Sequence, residues 1–107
     1  MTQPQIIQFD TIAWEDDVPG ITDRAAQIDG ARWAIVEYAA GASREEWCSD
    51  GHRGLVLNGS IEYTFEDGRK AIAPRSGDAF FLPGGVAHRG RNTSDGPTRM
   101  FLIDDPA

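Results

Sequence analysis

Glycine and proline punctuate this chain from end to end, with twelve glycines and six prolines among 107 residues. That spacing is the strongest constraint on its fold. It leaves little room for a helix of average length, about 11–12 residues. The best helical segment, Trp14 to Asp17, is stopped at once by Pro19-Gly20. Strand signals fill the rest. Asp29-Gly30, Asn58-Gly59 and Asp67-Gly68 suit tight hairpins, because such turns need positive φ, which Gly, Asn and Asp tolerate. Around them lie β-prone runs at Ala31–Ala39, Arg53–Leu57, Ser60–Glu66, Ala79–Leu82 and Thr98–Asp104. Many short strands at this spacing predict an all-β sandwich or barrel.

The Asn58-Gly59 turn carries an internal test. A two-residue hairpin there pairs Val56 with Ile61, Gly54 with Tyr63 and His52 with Phe65. Paired residues share a face. One face then carries His52, Val56, Ile61, Tyr63 and Phe65, and the other Arg53, Leu55, Leu57, Glu62 and Thr64. The first is an apolar interior with one histidine at its end. Gly54 falls on the same face as His52 and leaves space over the Tyr63 ring. Leu55 and Leu57 point outward and predict a covered surface, hence a homodimer.

Length and charge narrow the function classes. The chain is the size of one domain, residues 1–107, with no repeat or linker. Ten Lys+Arg against 17 Asp+Glu give a net charge of −7, which disfavours nucleic acid as a partner. No apolar run approaches the ~20 residues of a membrane span, and the start lacks a signal-peptide pattern. The expected setting is cytoplasmic, with a small molecule as the partner. Cys48 is the only cysteine, so there is no internal disulfide. Phosphate-loop, dinucleotide and nucleophile-elbow motifs are absent, and no organic cofactor is expected.

The most informative stretch runs from Gly77 to Asn92. It resembles the second motif of the cupin superfamily at every defined position: Gly77, Pro83, Gly85, His88 and Asn92. The first motif is present with exchanged residues. With Gly59 as its closing glycine, His52 takes the glutamate slot, and Cys48 and Glu46 take the two histidine slots. Gly41 stands for the opening glycine, one residue closer than usual. The resemblance covers roughly residues 31–104. It implies a cupin-type double-stranded β-helix, a jelly-roll barrel. It also implies a divalent transition metal (Zn, Fe, Ni or Mn) held by Glu46, Cys48, His52 and His88.

Carboxylate, thiolate and two imidazoles suit zinc in particular. Each residue also has a plain reading. Cys48 serves as a small buried hydrophobe, Glu46 belongs to a solvated charged run with Glu45 as an alternative ligand, and the histidines can meet a ligand directly. Trp33 is expected in the core, and Arg89 and Arg91 face away from His88. One scaffold carries many chemistries. Three functions therefore remain: a metal-dependent dioxygenase, isomerase or lyase, a non-catalytic sensing barrel, or a metal-free acid–base enzyme using the two histidines.

Overall fold

The computed structural model describes residues 3–105. After a single 3₁₀ turn at Phe9–Thr11 come eight strands: β1 (Glu15–Val18), β2 (Ile21–Ile28), β3 (Ala31–Tyr38), β4 (His52–Asn58), β5 (Glu62–Phe65), β6 (Ala79–Leu82), β7 (His88–Arg91) and β8 (Thr98–Asp104). They form a six-stranded sheet in the order β1-β2-β3-β8-β4-β6 and a two-stranded sheet, β5-β7. This is the expected all-β jelly roll.

Asp29-Gly30 makes the tight turn expected of it. Ile28 pairs with Ala31, and both turn residues have positive φ, 51° and 81°. The segment Trp14 to Asp17 is not helical. Glu15–Val18 pairs with β2 as an edge strand, because a lone turn before Pro19-Gly20 has too few hydrogen bonds to offset nucleation.

The Asn58-Gly59 hairpin does not form. β4 pairs with β6 and β8, whereas β5 pairs with β7. Gly59 (φ 86°) instead makes a corner that carries the chain between sheets. Its carbonyl accepts from Ser76 N at 3.0 Å, and a Cβ there would press on Thr98. The facing inferred from that hairpin nevertheless holds. Val56, Ile61 and Tyr63 are buried and Phe65 packs on the core, while Leu55 and Leu57 are exposed. Residue parity fixes which face a side chain takes, whichever strand lies alongside.

The core lies between the sheets and is built from alternate residues of each strand: Ala34, Val36 and Tyr38 on β3, and Met100 and Leu102 on β8. Trp33 has the opposite parity. It lies on the outer face of the large sheet, edge-on to Phe101 with ring centroids 5.9 Å apart, rather than in the core. Gly54 does face inward beside His52, but the space above it is filled by Phe80 of β6 and Leu102 rather than by Tyr63.

Candidate metal centre

Register brings the site together. His52 is the first residue of β4 and lies directly opposite Asp104, near the end of β8. Facing partners share a side of the sheet. His52 Nδ1 accordingly lies 2.7 Å from Asp104 Oδ1. Asp104 in turn faces Arg32 Nη1 at 3.7 Å. From the small sheet, His88 opens β7, and its backbone exchanges two hydrogen bonds with Cys48, 2.8 and 2.9 Å long. That bridge sets Cys48 and His88 side by side.

The two imidazoles meet edge to face, with centroids 4.9 Å apart and planes at 75°. Cys48 Sγ lies 3.9 Å from His52 Nε2. One donor atom from each of Cys48, His52 and His88 lies within 4.8 Å of the other two.

Hydrogen bonding dictates what these rings offer. His52 Nδ1–H donates to the Asp104 carboxylate, and His88 Nδ1–H donates to the Val86 carbonyl at 3.2 Å. Each assignment leaves the lone pair on Nε2. An Nδ1 held by carboxylate or carbonyl is the usual support of a metal-ligating histidine. Burial holds the His88 imidazole below the ordinary histidine value, and the nearby His52 ring adds to this against the pull of the Val86 carbonyl. His88 therefore stays neutral and able to ligate at neutral pH. Tyr63, whose ring stands edge-on to His88 at 5.8 Å, is buried so deeply that its phenol is pushed well up. Its hydroxyl faces Met100 Sδ.

The donor set fits a transition metal. Thiolate and neutral imidazoles are zinc ligands with Zn–S about 2.3 Å and Zn–N about 2.0–2.1 Å, which puts neighbouring ligands about 3.5 Å apart in a tetrahedron. The 3.9 Å between Cys48 and His52 is near that edge. Glu46 lines the same cavity but does not belong to the converging cluster, whereas Glu45 lies in a separate depression with Arg91. The cavity holds about 520 Å³, within the roughly 300–1,000 Å³ of small-molecule sites. Val36, Tyr63 and Leu102 give it apolar walls, and Arg32, Arg44 and Arg89 also line it. Arg89 lies over the Trp47 ring at 4.1 Å.

A family model described as Cupin domain matches residues 34–104. The chain belongs to the cupin family. The fold of this cupin is similar to that of an RmlC-like cupin from Shewanella frigidimarina, with TM-score 0.78 at 19% identity over 100% of this chain and 96% of that one. It is also similar to the polyketide cyclase RemF from Streptomyces resistomycificus, with TM-score 0.77 at 19% identity over 95% and 79%. A third similar structure is KdgF from a Halomonas species, with TM-score 0.73 at 23% identity over 92% and 91%. No curated protein matches the sequence.

The motif positions of this cupin divide between the converging donor cluster and the scaffold. Asn92 is fully buried, and its amide donates to the carbonyls of Tyr38, Ala39 and Gly96 at 2.9–3.0 Å. Its Oδ1 accepts from Ser94 and Thr98. It ties the β7–β8 loop to the end of β3 and does not line the cavity. Gly85 (φ 84°) closes the turn after Pro83, and its N–H donates to Ser49 O at 2.9 Å. That bond fastens the loop bearing Cys48. The residue missed in the sequence is Asp104. Its parity with Thr98, Met100 and Leu102 was the available signal, a carboxylate on the buried face of a strand.

Proposed function

We propose that this cupin binds a divalent transition metal, zinc by preference, through Cys48, His52 and His88, and acts on a small molecule held in the adjoining cavity. The observation that carries this reading is the pair of tethered imidazoles, with His52 Nε2 3.9 Å from the Cys48 sulfur and a ring nitrogen of His88 within 4.8 Å of the other two donors. Three protein ligands leave a position for a substrate, as catalytic sites do. The metal would supply Lewis acidity toward a bound oxygen.

The chain's own residues do the rest. Asp104 fixes the His52 tautomer and the orientation of its ring, and Arg32 steadies Asp104. The Val86 carbonyl does the same for His88. Val36, Tyr63 and Leu102 form the apolar wall of the cavity. Zinc has no redox chemistry, so a zinc site suits an isomerase or lyase better than a dioxygenase. Proteins of similar fold include a polyketide cyclase and a sugar phosphate isomerase.

A second reading rests on the 2.7 Å His52–Asp104 contact. Without metal, that dyad makes His52 a general base with its free Nε2 toward the cavity. Metal content separates the two. Protein purified without added metal or a histidine tag should carry stoichiometric zinc, and His88→Ala should lose it while remaining folded. A metal-free protein that is active supports the dyad instead.

The same reading extends to setting and assembly. A free thiol ligand suits the reducing cytoplasm, and no helix among the described residues is long and apolar enough to cross a membrane. Leu55, Leu57 and Phe81 are 37–59% exposed on the outer face of β4 and the edge strand β6, and we assign that face to a homodimer contact.

A further inference from the structure

Beyond the converging donors, the inner wall of the cavity carries a second polar device. Tyr38 is 3% exposed, on the core face of β3. Its hydroxyl accepts a hydrogen bond from Arg44 Nε at 3.1 Å. Arg44 is held from the other side by Asp17, whose Oδ2 lies 2.6 Å from Nη2. Two donors are left over. The Tyr38 hydroxyl proton meets no acceptor among the described residues, and neither does Arg44 Nη1. Both side chains line the cavity.

Their position relative to the donor cluster follows from β7. Gly90 lies two residues past His88, on the same face, about 6.6 Å along the strand. A Cβ at Gly90 would stand 3.3 Å from Tyr38 Oη. Glycine there lets Tyr63, Ile61 and the Tyr38 hydroxyl pack against β7, one strand repeat from His88. Burial pushes the Tyr38 phenol up, against the pull of Arg44, so it remains a proton-bearing donor through neutral pH.

A ligand in this cavity therefore meets two unlike ends. One is a set of lone pairs suited to a metal. The other is a pair of donors with a guanidinium charge, which asks for a planar oxygen acceptor. We propose that Tyr38 and Arg44 form a carboxylate-binding subsite, and that the cupin takes short hydroxy- or oxo-carboxylates. Their carboxylate rests on this pair and their second oxygen points toward His52, His88 and Cys48. This assignment of substrate class rests on the metal-site reading for the second oxygen alone. The carboxylate contact is made by protein groups.

The test uses lactate and its neutral amide, lactamide, titrated into the full-length protein by calorimetry, with metal content measured on the same samples. Wild type should bind lactate at least about tenfold more tightly than lactamide. Tyr38→Phe removes one hydrogen bond without changing the ring and should weaken lactate about tenfold. It should weaken lactamide less than lactate and leave metal content unchanged. Arg44→Lys, which keeps charge but loses the fork, should also weaken lactate. Equal affinity for the two probes, no saturable lactate binding at millimolar concentrations, or a Tyr38→Phe protein that binds lactate as wild type does would each overturn the proposal. Lactate selectivity in a protein that holds no metal would sink the metal reading and keep this one. Stoichiometric metal without selectivity would do the reverse.

Discussion

Replacing Asp104 by Asn probes the support of His52 with almost no change of shape. In the folded protein, His52 Nδ1–H donates to a carboxylate oxygen 2.7 Å away. A hydrogen bond to a charged partner is worth about 1.5–3 kcal/mol and a neutral one about 0.5–1.5. An asparagine that still presents its carbonyl should therefore cost about 1–1.5 kcal/mol in the support of the ligand. The two side chains are 14% and 23% exposed, so water screens part of the charge and the low end applies. The expected outcome is a zinc affinity about fivefold to tenfold weaker, at or just under the bottom of the roughly 10–100-fold range for groups behind a metal ligand. Asp104→Ala removes the acceptor altogether, along with one of the two carboxylates beside Arg32, and should fall near the top of that range. His88→Ala should abolish binding. Competition against a chromophoric chelator measures all three, with thermal midpoints as a control for folding. Unchanged zinc affinity in Asp104→Asn would refute the claim that Asp104 prepares His52 for a metal.

Other perturbations test the scaffold around the site. Gly54→Ala should destabilise by about 1–3 kcal/mol in urea unfolding, because its Cβ would collide with Phe80 and sit 2.7 Å from Leu102 Cδ2. Asn92→Ala should cost about 3 kcal/mol by removing the buried amide that joins the Tyr38 and Ala39 carbonyls at the β3 end to the Gly96 carbonyl of the β7–β8 loop, with metal affinity little changed in whatever remains folded. His88 is held below its usual 6.5, so the unfolded chain takes up the proton first. Stability of the metal-free protein should be full above about pH 6.5. It should fall as pH drops through that value toward the folded one, and His88→Gln should flatten this slope. Phe81→Asp should convert a dimer to monomer by light scattering, whereas a wild type already monomeric at working concentrations would remove the outer-face assignment.

The sequence carried facing more faithfully than pairing. Val56, Ile61, Leu55 and Leu57 all point where alternation puts them, although β4 and β5 never pair. Alternation is local, but the partner of a strand is chosen by distant contacts. At Asp29-Gly30 both residues take the positive φ of a tight hairpin and β2 pairs with β3, whereas at Asn58-Gly59 only Gly59 does, and it serves a corner between sheets. β1 and β2 were missed because Glu15–Val18 and Ile21–Ile28 mix charges and alanines without clean alternation. At the site, the five fixed positions around His88 gave the barrel, and the count back from Gly59 brought Cys48 and His52 to the same point. Asp104 stayed hidden because it lies 52 residues from His52, joined only through β4–β8 register. Tyr38 and Arg44 carry no motif, and their meeting depends on how the Ser43–Cys48 segment crosses β7.

The central claim is that Cys48, His52 and His88 hold one metal ion together. Cobalt(II) titration of the metal-free protein tests it most directly, because thiolate-to-cobalt charge transfer reports the sulfur ligand itself. The account predicts a charge-transfer band that saturates at one equivalent and is displaced by zinc. The band should vanish in Cys48→Ser and be lost with binding in His88→Ala. A protein that binds no cobalt, or binds it with no thiolate band and no dependence on Cys48, would contradict it.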